Sequence, residues 1–74
     1  MKLEVYAEWL DLPPGTWHLL IAGCSVAYVS MFDRTNFVSN VIRGTRFESL
    51  DEAKKATVAA VCAERFPPNE VLVK

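Results

Sequence analysis

Residues 2–10, KLEVYAEWL, alternate along the chain: Leu3, Val5, Ala7 and Trp9 share one parity, and Glu4, Tyr6 and Glu8 the other. That period of two predicts a half-buried strand. DLPPGT then breaks the ladder with two prolines and a glycine. TWHLLIA, residues 16–22, predicts a second strand, and Gly23-Cys24 a two-residue hairpin turn with glycine first. SVAYVSMF, residues 25–32, predicts a third strand. DRTN is a polar connection to a fourth, FVSNVIR at residues 37–43, which Gly44 closes.

The period changes after Gly44. In FESLDEAKKATVAAVCAERF, Ser49 stands three residues before Glu52, the spacing of a capping box. Asp51 and Glu52 in the first turn and Arg65 in the last suit the helix dipole. A helix is predicted over residues 50–65, halted by Pro67-Pro68, with Leu50, Ala53, Thr57, Ala60 and Val61 turned inward. NEVLVK is a candidate fifth, edge strand. The expected fold is therefore α+β: a four-stranded antiparallel meander with one helix packed on one face, in a single domain spanning residues 1–74.

The third strand poses a problem. Val26, Tyr28 and Phe32 are apolar on one parity, and Ala27, Val29 and Met31 on the other. With Gly23-Cys24 as the turn, Trp17, Leu19, Ile21, Val26, Tyr28, Phe32, Phe37 and Val41 collect on one face, since opposed residues lie on the same side. His18, Leu20, Ala27, Val29, Met31, Val38 and Ile42 collect on the other. A stripe of small helix residues fits closely over bulky aromatics. Leu20, Ala27, Val29, Met31, Val38 and Ile42 are then expected as an open apolar patch of the kind that marks a protein contact. A one-residue bulge would swap the parity of everything after it, yet leave the apolar excess in place. Internal cover by the C-terminal strand, the proline loop or curling of the sheet is the competing solution.

Composition strengthens the case for association. Apolar residues make up 51% of the chain and charged ones 23%, more apolar material than one small core needs. A self-associating homodimer or a foreign protein target is the expected partner. The net charge of −1 argues against nucleic acid or an anionic membrane as partner. No apolar run approaches the length of a membrane span, and Glu4 and Glu8 interrupt any leader-like segment near the start. The two cysteines, Cys24 and Cys62, form no CxxC pair, and His18 is the single histidine, so no metal site or cofactor is expected. Free thiols suit a reducing cytoplasm, which in a phage protein means that of the host.

No catalytic constellation emerges, and a non-enzymatic protein is expected. The nearest approach is His18 with Cys24 and a carboxylate from Glu4 or Glu8, but the imidazole and thiol stand far apart along a hairpin. The three glycines are scattered and make no phosphate loop. Glu4 and Glu8, with Tyr6 between them and Asp11 beyond, give the first strand an acidic side that joins the expected protein interface. Alternate strand positions stand roughly 6.6–6.8 Å apart, near the interval between backbone phosphates, so such a strand can imitate nucleic acid. The same charges would also protect an edge strand. Arg34, Arg43 and Arg46 form a small basic group that supports an alternative DNA-binding reading.

The junction RGTRFESLDEAKKA resembles the strand-to-helix step of small phage and prophage proteins, including the arm-type DNA-binding domain of tyrosine integrases. Phe47, Ser49, Glu52 and Ala53 carry the match. The resemblance implies a sheet leading through an aromatic and a hydroxyl cap into a helix, and an accessory DNA-binding role. The chain departs from that family where an arm-binding sheet should present lysines or arginines: Val29, Met31, Val38 and Ile42 stand there instead. In size, acidity and apolar surplus it is similar to phage-encoded inhibitors such as anti-CRISPR and anti-restriction proteins, which implies a protein target in a host defence or nucleic-acid machine.

Overall fold

The computed structural model describes residues 4–12, 14–65 and 70–73. Leu3 of the first-strand pattern, Pro13 of the loop and the Pro67-Pro68 stop lie outside them. The described chain is α+β, in the order β1 (Glu4–Leu12), β2 (Thr16–Ile21), β3 (Cys24–Met31), β4 (Phe37–Ser39), β5 (Ile42–Phe47), α1 (Leu50–Arg65) and β6 (Glu70–Val73). The four-stranded antiparallel meander is corrected to a curled six-stranded mixed sheet, ordered β5-β4-β3-β2-β1-β6. The C-terminal strand pairs parallel to β1, so β1 is an interior strand and its charges guard no edge.

The expected fourth strand divides because Asn40 leaves the ladder. Its backbone N–H donates to the Tyr28 carbonyl at 3.1 Å. Its side-chain Oδ1 accepts from the Tyr28 N–H at 2.7 Å. One asparagine thus completes the pairing of β3 with its side chain, and the backbone turns into β5. Between the Ser39–Ile42 and Phe37–Phe47 pairs the register slips, where Gly44 takes a φ of 77°.

Because β5 and β6 are opposite edges, α1 must carry the chain across the whole sheet. Its 16 residues amount to about 24 Å at about 1.5 Å per residue. Five inter-strand steps of about 4.8 Å cover the same distance. The start is fixed as expected, with the Ser49 hydroxyl accepting from the Glu52 N–H at 3.1 Å.

The β2–β3 hairpin turns one residue earlier than the sequence suggested. Ile21 opposes Cys24, so Ala22-Gly23 is the two-residue turn, with φ of 54° and 79°. Two positive φ values define a type I′ turn, whose twist matches the strands. The register then shifts: Leu20 opposes Ser25, whereas Leu19 opposes Ala27, leaving Val26 as the extra residue of a bulge. The early turn and the bulge together bring Ala27 and Val29 onto the face of Trp17 and Leu19. Ala7, Leu19, Ile21, Ala27 and Val61 form the core, with Val5, Trp9, Val26, Val41, Val58 and Val71 packed around it.

Ala53, Thr57 and Val61 are the buried residues of α1. Thr57 Oγ1 donates to the Ala53 carbonyl at 2.7 Å and lies 2.7 Å from the Ser39 hydroxyl. Since a hydroxyl has one proton to give, Ser39 donates to Thr57 and accepts the Val41 N–H at 3.4 Å. That relay locks α1 onto β4. On the proline loop, Gly15 takes a φ of 115° and its carbonyl accepts the Met31 N–H at 2.9 Å. A Cβ there would stand 3.3 Å from the Met31 Cβ, so both backbone shape and space call for glycine.

Candidate functional site

The face away from α1 is built by the even positions of β1 and β2 and by Tyr28, with its neighbours on β3. Pairing places Leu10 beside His18 and His18 beside Tyr28, a row across three strands. Glu8 lies beside Leu20, and Tyr6 beside Leu72 of β6. Tyr6, Leu10, Leu12, Tyr28 and Leu72 are all exposed, and His18 and Leu20 are half-buried between them. Large apolar groups therefore cover this side from β6 to β3, and a patch so continuous marks a contact surface.

Polar groups frame it. The Tyr6 hydroxyl donates to Glu4 Oε2 at 2.6 Å. That bond, with a smaller effect of burial, raises the Tyr6 pKa above the usual phenol value. His18 Nδ1 lies 2.9 Å from Ser25 Oγ, and its ring is 5.6 Å from that of Tyr28. The imidazole and the Cys24 thiol were expected to stand apart; the side chain that meets His18 is Ser25. A nucleophile and a base are thus in reach, but among the described residues no carboxylate is seen hydrogen-bonded to the ring to orient it. Among the described residues no cluster of three or more His, Cys, Asp or Glu side chains could hold a metal.

The expected interface residues divide. Glu4, Tyr6, Glu8 and Leu20 lie on the helix-free face, as does Val38, opposite Ser30. Ala27 and Val29 are corrected: they are 2% and 0% exposed beneath the helix side, because the bulge reversed their parity. Met31 keeps the parity of Val29 but stands at the strand end, 46% exposed. Ile42 is half-buried opposite Ser39, on the helix side. Leu10, Leu12, Tyr28 and Leu72 were missed. Leu10 and Leu12 continue the parity of Tyr6, a signal that the neighbouring prolines obscured.

The arginines gather at the far edge. Arg43 and Arg46 flank a shallow groove with Val38 and Ile42. The Arg46 guanidinium rests 4.2 Å from the centroid of the exposed Phe32 ring, a cation–π contact. Arg34 is exposed in the β3–β4 connection and does not line that groove. In the same connection Asp33 Oδ1 accepts from the Thr35 N–H at 2.8 Å, the Thr35 hydroxyl at 3.1 Å and Asn36 Nδ2 at 3.1 Å. The backbone bond from Thr35 above all holds its carboxyl below the usual range.

Comparison with protein-family models, with curated proteins and with solved structures found no match. Among the described residues no helix is long and apolar enough to cross a membrane.

Proposed function

We propose that this chain is a non-enzymatic protein-binding domain that docks through the helix-free face of its sheet. The observation that carries the reading is the unbroken row Leu10–His18–Tyr28, continued by Tyr6, Leu20 and Leu72, with no element of the described chain above it. Tyrosines in such a surface supply contact area and a polar tip at low entropic cost. Glu4 and Glu8 stand in the same face, which selects a partner offering lysines or arginines beside apolar groups. The basic grooves of nucleic-acid machines have that chemistry, and a phage-type inhibitor of such a machine is the specific role this reading supports.

A labelled-amide NMR titration with a peptide alternating lysine and leucine tests the reading. Salt-sensitive shifts centred on Glu8, Leu10 and Tyr28, lost in Tyr28→Lys, are expected. Shifts elsewhere, or none, would sink it. Solution mass measured over a range of concentrations separates the self-pairing alternative: a doubled mass that Tyr28→Lys returns to monomer assigns the face to a second copy.

The accessory DNA-binding reading rests on a different observation, Arg43 and Arg46 on one groove beside Phe32. A gel shift that weakens with salt and disappears in Arg43→Ala would favour it; no shift at low salt would remove it.

A further inference from the structure

Beside the buried stripe of α1 runs a second one that borders a cleft. Ala53, Thr57 and Val61 face the core. One position on, Lys54, Val58 and Cys62 line a cleft of about 550 Å³ between the helix and the β1–β6 pair. Trp9 of β1 and Val71 and Val73 of β6 form the opposite wall. The cleft exists because α1 packs mainly on β3, β4 and β5 and more loosely on the strands beyond them. Its volume falls within the roughly 300–1,000 Å³ of small-molecule sites.

The lining is not uniform along its length. Asp51, Lys54 and Lys55 border the part beside the first turns of α1, and Val58, Ala59 and Cys62 the rest. From Asp51 to Cys62 the helix rises about 16 Å, at about 1.5 Å per residue. Two ammonium groups against one carboxylate make the first end cationic. The Lys54 ammonium lies 5.3 Å from the centroid of the Trp9 ring, so one of these charges is held against the apolar wall. A charge partly withdrawn from water interacts more strongly with a counter-charge brought to it.

We propose that this cleft binds a single-chain amphiphilic anion, a medium-chain carboxylate in class. Its chain lies along Trp9, Val58 and Val71, and its head sits between Lys54 and Lys55. The site is on the helix side of the sheet and shares only Leu72 with the proposed docking face, so the two stand or fall separately.

Decanoate below its micellar concentration is the probe, read by amide shifts of the full chain. Shifts at Val58, Ala59, Cys62 and Val71 are expected, with weaker binding of decyltrimethylammonium, which has a chain of equal length and the opposite head charge. Lys54→Gln/Lys55→Gln should weaken decanoate roughly fivefold to tenfold, the size of two partly exposed ion pairs. The same pair should erase the preference between heads, with an unchanged melting curve. No shifts at millimolar decanoate, shifts at Leu10 and Tyr28 instead, or equal binding of both probes by the wild-type chain would each overturn the proposal.

Discussion

On the helix side of the sheet, Ala7, Leu19, Ala27 and Val29 are almost out of contact with water. On the other side Tyr6, Leu10, Leu12 and Tyr28 keep 41–51% of their surface. Both sides are rich in apolar groups, so hydrophobicity alone does not decide which one the helix takes. Small side chains beneath α1 mark the side it takes, although Trp9 and Trp17 share that side. Alanines at positions 7, 27 and 53 let α1 approach the sheet closely, and Leu19, Val29 and Val61 fill the remaining space. Tyrosines carry hydroxyls that would need partners under a helix and find water on the open side.

The sharpest test of how tightly the helix side is sealed is to place the same charge at a buried and at an exposed position of that one side, near the end of β3. Val29→Lys forces an ammonium into a site with no exposure and should cost about 4 kcal/mol or more, enough to unfold a domain of this size. Met31→Lys, two positions away and half-exposed, should change stability by no more than about 0.5 kcal/mol. Thermal melts followed by circular dichroism check both. Equal tolerance of the two would mean the helix does not seat over Val29.

Next in size is the relay that seats the helix. Thr57→Val leaves the buried Ser39 hydroxyl without its acceptor and should cost about 1–2 kcal/mol in urea titrations. Adding Ser39→Ala should cost less than the sum of the single changes, since the orphaned group is then gone. Strict additivity would show that the two hydroxyls are not coupled.

The turn that sets the faces can be strengthened. Ala22 pays for a left-handed φ that asparagine tolerates, and Asn-Gly is the preferred type I′ pair. Ala22→Asn should therefore add about 0.5–1 kcal/mol and raise the melting temperature by about 2–8 °C. A fall would place the turn at Gly23-Cys24 after all.

On the open side, Leu10→Lys and Tyr28→Lys should each leave stability within about 0.5 kcal/mol of wild type while removing association. The smallest effect belongs to Asp33. Its folded pKa is depressed, so the stability it contributes is present above the unfolded value of about 3.9 and is lost as pH falls through the folded one. The Thr35 amide resonance should report that transition, and Asp33→Asn should abolish it.

Local signals made the helix and most strands legible. Ser49 and Glu52 fixed the start of α1, and the period of two marked β1 correctly. What failed was non-local. Asn40 looks like one more residue of a strand, and only its two bonds to Tyr28, twelve positions earlier, make it a turn. The bulge at Val26 shifts parity without any proline or glycine to announce it, and so Ala27 and Val29 exchanged faces with Tyr28. Any bulge in the hairpin has that consequence, but no residue type here marks where it falls. The surplus of apolar surface outlasted the error because it does not depend on parity. Membership of the open face did depend on it.

The parallel pairing of β1 with β6 sets an order of assembly. β1 to β5 are joined by tight hairpins and can zip up from neighbouring segments, whereas Glu4 must find Glu70 across nearly the whole chain. Closing so long a loop is the slow, late step of such a topology. During synthesis β1 emerges first and its outer partner only after α1. For that interval the bare margin of β1 is the segment most open to mispairing between nascent copies.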